Sequence, residues 1–337
     1  MPGVRTASEI RLLNGSTGDA VLYVDYPASH NALLFDGGDN ASLPMEKLAD
    51  LTAVFITHHH VDHFIGFDRI VRANIDSEKT LSVFGPAGTI AKASDRIRSY
   101  EYPFFPFQQI TIRITEVHAD RLRSAVLECR KRFPEPEITE TPWNGTDPIF
   151  DNDDVAVETG LLDHAVPCLG FAMREKPGFA LDTARLENGL LRPGPWVGEV
   201  HQALVEGAME RRSIEIEGCR LSVRTLADRY FKASPGARIA YITDTAWSDA
   251  SRPVLLRLAA KADRLYCDSF YAENEAKSAE KHRHMTATRA ANLAKEAKVQ
   301  ELVLIHFAKR YAGNYDRLVE EARKIFPRTR AEFGGSD

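Results

Sequence analysis

The chain has 337 residues, 44% hydrophobic and 27% charged, enough apolar material for one large buried core or two smaller ones. Its 43 basic and 48 acidic residues leave a net charge of -5, so global charge gives no support to a basic nucleic-acid clamp and leaves room only for a local patch. No run of about 18 apolar residues and no basic start followed by an apolar stretch occurs, so neither a membrane span nor a signal peptide is expected. Cys129, Cys168, Cys219 and Cys267 form no C-x-x-C pair and read as reduced, mostly buried thiols of a cytoplasmic protein.

In chain order, residues 20–26 and 31–36 predict paired strands, the second ending before Gly37-Gly38. Residues 51–57 form a continuous apolar run that stops at three histidines, the pattern of a buried strand presenting polar residues at its C-terminal end. Residues 81–84 predict a short strand, then Gly85-Pro86 and a helical stretch through Ser99; residues 110–117 alternate as a strand. Residues 119–160 read as an irregular, mostly surface insertion, with Phe133-Pro134-Glu135-Pro136, Asn144-Gly145 and the acidic run Asp151-Asn152-Asp153-Asp154. Residues 166–174 return to a strand. A second irregular excursion covers 175–236, with Glu175-Lys176-Pro177-Gly178, Arg192-Pro193-Gly194-Pro195-Trp196 and a helix over 197–211. The regular pattern then resumes: strand 237–243, helix 248–261, strand 263–268, helix 286–297 and strand 301–306. Two groups of strands interleaved with helices predict an α/β (α+β) chain built as one αββα sandwich over 1–337, two sheets face to face with helices outside.

His58, His60, Asp62 and His63 form an H-x-H-x-D-H cluster directly after the apolar strand. On an extended loop, positions two apart face the same way, so His58 and His60 can grip one ion together. Asp62 and His63 fall on the following turn and can face a second ion. Neutral imidazoles with a carboxylate suit a borderline divalent metal, here two zinc ions or another divalent metal such as manganese. Three further strands end on ligand-type residues, His164, Asp244 and His306. The simplest assignment gives His58, His60 and His164 to one ion and Asp62, His63 and His306 to the other. Asp244 bridges them, because a carboxylate has two oxygens to share. A pair of divalent ions lowers the pKa of water bound to it. Asp62 doubles as a candidate catalytic residue that orients the water. Asp36 is either a hydrogen-bond partner of a ligand histidine or a turn residue before Gly37-Gly38.

The H-x-H-x-D-H loop resembles the signature of the metallo-β-lactamase superfamily, and the later segments resemble ribonuclease Z, the tRNA 3′-end endonuclease. The resemblance is carried by His164 ahead of Pro167-Cys168-Leu169-Gly170-Phe171, by Lys176-Pro177-Gly178 and Pro193-Gly194-Pro195, and by Ala240-Tyr241-Ile242-Thr243-Asp244-Thr245. His284-Met285-Thr286 before an Ala-rich helix, Leu304-Ile305-His306-Phe307 and Arg310-Tyr311 complete it. It implies a metallo-β-lactamase sandwich with an exosite-like arm at about 175–236. It also implies a zinc-dependent phosphodiesterase acting on precursor tRNA or a small phosphodiester, and a homodimer whose arms reach the partner's substrate. His284 is then the proton donor to the leaving alkoxide, with Asp268 orienting it or sharing its proton.

The chain departs from this pattern at three places. Residues 14–28 lack the family's Pro-Thr and Arg-Asn loop, Cys267-Asp268-Ser269-Phe270 stands where the family has His-Glu-Ala-Thr, and Glu199, Glu206 and Glu210 interrupt the basic residues of the arm. The missing loop, the acidic balance and the 119–160 insertion favour an alternative on the same scaffold: a small-molecule hydrolase of a cyclic nucleotide, lactone or ester. A binding or scaffold protein without catalysis is a third reading, opposed by the presence of all seven candidate ligands. His59 is expected to pack behind the site, and His30, His201 and His282 on the surface. His118, Lys309 and Arg310 line the cleft or lie on a solvated face, and Trp196 packs within the arm or serves as a contact.

Overall fold

The computed structural model describes residues 9–27, 29–102, 107–182, 185–186, 189, 191–192, 194–205, 209 and 212–333. An eight-stranded sheet holds β1 (Glu9–Leu12), β2 (Leu22–Tyr26), β3 (Asn31–Phe35), β4 (Leu51–Phe55), β5 (Thr80–Pro86), β6 (Thr111–Val117), β7 (Arg121–Glu128) and β8 (Thr139–Pro142), in that order. A seven-stranded sheet holds β9 (Phe150–Asp151), β10 (Val155–Leu162), β11 (Cys168–Glu175), β16 (Arg238–Ile242), β17 (Arg264–Asp268), β18 (Glu301–Ile305) and β19 (Thr329–Ala331). Between β11 and β16 lie β12 (Gly178–Leu181), β13 (Ser213–Ile216), β14 (Cys219–Ser222) and β15 (Phe231–Ser234).

Period-two alternation builds the layers. In β3, Leu33 and Phe35 face the second sheet, while Ala32 and Leu34 face helices. In β16, Ile239 and Tyr241 meet the first sheet, while Ala240 and Ile242 meet helices on the other side. Strands buried on both faces must be apolar at every position, which explains the continuous runs. The helices over the first sheet are α1 (Met45–Ala49), α2 (Val61–Phe64), α3 (Phe67–Asn74) and α4 (Thr89–Arg98). The arm carries α5 (Trp196–Val205) and α6 (Val223–Tyr230). The second sheet is flanked by α7 (Arg252–Ala259), α8 (Ala276–His282), α9 (Ala287–Glu296) and α10 (Asp316–Arg323). The predicted αββα sandwich is therefore the observed architecture. Among the described residues, no helix is long and apolar enough to cross a membrane.

Both segments expected to be irregular carry regular elements among their described residues. Residues 119–160 supply β7 and β8 to one sheet and β9 and most of β10 to the other. The strand pattern of β7 is obscured by Arg121 and Arg123, and that of β8 by its full exposure and its end at Pro142, which suits an edge strand. The arm has a core of its own, formed by Trp196, Val200, Leu204, Ile214, Val223, Leu226 and Tyr230. β12 pairs with β15, and β13 with β14, each antiparallel. Trp196 packs inside it, its ring 5.6 Å from that of Tyr230 and its Nε1 donating to the Arg192 carbonyl at 2.8 Å. The predicted helix 197–211 is observed as α5; its end at 206–208 and 210–211, with Glu206 and Glu210, and also Pro193 and residue 28, lie outside the described residues. Cys129, Cys168 and Cys267 are buried thiols and Cys219 is exposed.

Two glycine loops lock the first sheet's metal-side rim. The Gly37 N–H donates to the His63 carbonyl, and the Gly66 N–H donates to the Gly37 carbonyl, each at 2.7 Å. A Cβ on Gly66 would collide with the Gly38 carbonyl oxygen and the Asn40 amide, and one on Gly38 with the Asp62 carbonyl oxygen. Overpacking against backbone has no cheap relief, so Gly66→Ala is expected to destabilise the protein by about 1–3 kcal/mol in a denaturant melt. A variant that melts like the parent would contradict this account of the rim.

Candidate metal centre

The mutually parallel strands β16, β17 and β18 end at one rim, β10 runs in the same direction as β16 because each is antiparallel to β11, and the end of β4 in the other sheet meets the same rim. Their C-terminal ends deliver His58, Asp244, Asp268, His306 and His164. His60 caps α2 at its N-terminus, which turns the chain so that Asp62 and His63 follow on the helix. Asp36, Asp244 and His306 adopt left-handed backbone, with φ of 59°, 45° and 62°. Non-glycine residues in that region are strained, and such strain concentrates where a side chain must be aimed. Here it turns each of them off a strand end.

The seven predicted ligand residues converge. Nitrogen and oxygen atoms of His58, His60, His164 and Asp244 lie within 4.8 Å of one another, and so do those of Asp62, His63 and His306. Asp244 stands between the two groups. Its Oδ2 lies 3.4 Å from His58 Nε2 and 3.7 Å from both His63 Nε2 and His164 Nε2, while its Oδ1 lies 2.9 Å from His306 Nδ1. His58 Nε2, His63 Nε2, His164 Nε2 and His306 Nδ1 are buried and find no aligned hydrogen-bond partner among the described residues. Buried polar atoms rarely stay unpaired without a reason. Imidazole nitrogens and carboxylates aimed into one space have the chemistry of a divalent-metal donor set.

Other groups orient these donors from behind. Asp36 is fully buried and accepts from His63 Nδ1 at 2.8 Å, from the Thr57 N–H at 2.7 Å and from the Tyr241 hydroxyl at 3.0 Å. It is thus the partner of a candidate ligand, not only a turn residue. Thr57 Oγ1 also lies 3.1 Å from His58 Nδ1. His164 Nδ1 donates to the Arg283 carbonyl at 3.0 Å, and Arg283 returns a bond to the His164 carbonyl at 2.9 Å. Thr57, Tyr241 and Arg283 were not singled out as functional in the sequence; only a buried polar residue at a strand end would have flagged Thr57. The loop before β2 buttresses the last ligand segment, with the Ser16 carbonyl accepting from the Phe307 N–H at 3.0 Å.

The electrostatics follow this geometry. Burial opposes charge on Asp244, but His306 and His63 outweigh it and hold its carboxyl well below the usual carboxylate range. Burial disfavours protonated His63, yet Asp36 and Asp244 outweigh it and push its pKa up to about 10. His164 goes the other way: burial, only partly offset by Asp244, brings it down to about 4. His284 lies beside the cluster with Nδ1 3.0 Å from Asp268 Oδ2, and burial is outweighed by Asp268, which raises its pKa. Asp268, although one methylene shorter than glutamate, reaches His284 and also accepts from the Met285 N–H at 3.0 Å.

The remaining sequence expectations fall into place. His59 packs behind the site, 3.0 Å from Thr89 Oγ1 and against the Phe64 ring. His30 and His282 are exposed, and the side chain of His201 lies outside the described residues. His118 pairs with Glu116 at 3.2 Å. Arg310 bonds Glu275 at 2.8 Å and covers the Tyr271 ring, whereas Lys309 is exposed.

Replacing the group behind a ligand typically costs metal affinity about 10–100-fold. Asp36→Asn is therefore expected to bind zinc about 10–100-fold more weakly while keeping its fold, as a zinc titration with circular dichroism will show. Unchanged zinc affinity would remove Asp36 from the support of His63.

Residues 31–214 match the profile of the "Beta-lactamase superfamily domain" family. A ribonuclease Z of Deinococcus radiodurans is 31% identical over 329 residues, covering 95% of this chain and 96% of the relative. A ribonuclease Z of Anoxybacillus flavithermus is 32% identical over 282 residues, covering 81% of this chain and 75% of the relative. Among solved structures, the metallo-β-lactamase-fold protein YhfI of Bacillus subtilis superposes with a TM-score of 0.54 at 16% identity, over 94% of this chain and 92% of that one. The short form of human tRNase Z superposes with a TM-score of 0.50 at 17% identity, over 92% of each chain. These two likenesses show the fold; the family profile and the near full-length match show that the chain belongs to the ribonuclease Z family of the β-lactamase superfamily.

Proposed function

We propose that this protein is a dinuclear zinc-dependent phosphodiesterase that cuts precursor tRNA at its 3′ end. The observation that carries the chemistry is His284, a second kind of group at the edge of the donor cluster. Its Nδ1 is engaged by Asp268, which leaves Nε2 to hold a proton, and Asp268 favours the protonated ring. The relatives' names and the full-length match support tRNA as the substrate. Residues 119–160 contribute strands to both sheets.

His58, His60, His164 and Asp244 would hold one ion, and Asp62, His63, His306 and Asp244 the other. When bound, such ions supply Lewis acidity, lowering the pKa of water and offsetting charge on the phosphoryl group. Asp62, whose side chain is 37% exposed at the cleft, accepts a proton or hydrogen bond from the attacking water. His284 gives its Nε2 proton to the departing ribose oxygen, and Asp268 stabilises the ring before transfer and holds its orientation through it. The enzyme acts in the cytoplasm as a homodimer, an assembly that light scattering tests.

Incubation with a precursor tRNA carrying a 3′ trailer is expected to release the trailer, and chelation of the metals to stop it. His284→Ala is expected to keep its metal content and lose about 10²–10⁴-fold in kcat. Full turnover in His284→Ala would remove that residue from the reaction. Cleavage of a simple phosphodiester with the precursor left intact would overturn the tRNA assignment alone.

A further inference from the structure

The imidazole of His284 is held from two directions. Asp268 holds its edge through the 3.0 Å bond to Nδ1. Phe270 covers its face, with ring centroids 4.4 Å apart and planes within 18°. The same phenyl lies 5.2 Å from the His306 ring and 5.0 Å from the Tyr271 ring. The backbone of Phe270 is pinned as well: its N–H donates to Asp268 Oδ1 at 3.1 Å, and its carbonyl accepts from the Ala308 N–H at 3.3 Å. The phenyl is therefore fixed to the end of β17 and to the segment that carries His306.

An imidazole tied only by one hydrogen bond at Nδ1 still swings about that bond. A parallel ring against its face removes the swing, and stacking adds its own attraction.

We propose that Phe270 is a positioning residue that works with Asp268 as one unit, the phenyl fixing the plane of the His284 ring while the carboxylate holds its edge. The catalytic value of this unit rests on the proton-donor role proposed above for His284.

The test has an arm that needs no turnover. In histidine-labelled protein, the His284 ring protons, identified by their loss in His284→Ala, are expected upfield because they lie against a phenyl face. Phe270→Leu is expected to abolish that shift while the fold is kept. With bis(p-nitrophenyl) phosphate, Phe270→Leu is expected to lower kcat about 10–100-fold at unchanged KM and metal content, the scale of a misplaced reacting group. Phe270→Tyr keeps the stacked face and is expected within about threefold of the parent. Asp268→Asn and Phe270→Leu are each expected to lower kcat, and the double variant to lose less than the product of the two, the mark of coupled neighbours. An unchanged His284 shift or parental kcat in Phe270→Leu would overturn the positioning role. Independent, multiplicative effects in the double variant would overturn the joint action of Asp268 and Phe270. If His284→Ala keeps full turnover, the proton-donor role fails separately, and the ring-proton shift still decides whether Phe270 holds the ring.

Discussion

Asp244 brings a carboxylate to a position only 2% exposed, at the end of β16 and on left-handed backbone. A lone buried charge is costly, so it persists only where its surroundings answer it. Here His306 after β18 and His63 on α2 answer it most strongly, and His58 after β4 and His164 after β10 also come within 3.7 Å. Removing one member of such a buried set leaves the rest uncompensated, a loss of about 3–5 kcal/mol in comparable cases. The same carboxylate has two oxygens directed at two groups of donors, so charge balance and metal geometry make one demand on the fold.

The sandwich meets that demand through strand direction. Parallel neighbours in each sheet, together with the two antiparallel steps from β10 to β16, put the C-terminal ends of five strands on one rim. The strands that reach this rim are mostly apolar because both faces are covered, so the donors appear where the strands stop. Behind the donors, Asp36, Thr57 and the Arg283 carbonyl each occupy an imidazole Nδ1. Those contacts leave Nε2 of His58, His63 and His164 facing the common space. Orientation comes from this outer ring of bonds as much as from the loop itself.

Much of this was legible in the chain. Leu51–Phe55 followed by His58, His60, Asp62 and His63 marks a strand and its donors in adjacent residues, and Asp244 and His306 follow apolar strands in the same way. Apart from the helix read over 197–211, the strands within 119–160 and 175–236 were not legible. β7 and β8 carry charge on exposed faces, and the core of the arm assembles from residues as far apart as Trp196 and Tyr230, so neither shows a local period. Asp36 was undecided because its partners, Thr57, His63 and Tyr241, come from elsewhere in the chain. The stack of Phe270 on His284 depends on a turn after β17 meeting the link between α8 and α9, a contact with no sequence signature.

Anomalous diffraction at the zinc edge, from crystals grown with zinc, tests the central claim most directly. Two peaks are predicted on either side of Asp244, one among His58, His60 and His164 and the other among Asp62, His63 and His306. A single peak, or peaks away from Asp244, would contradict a centre joined by that carboxylate.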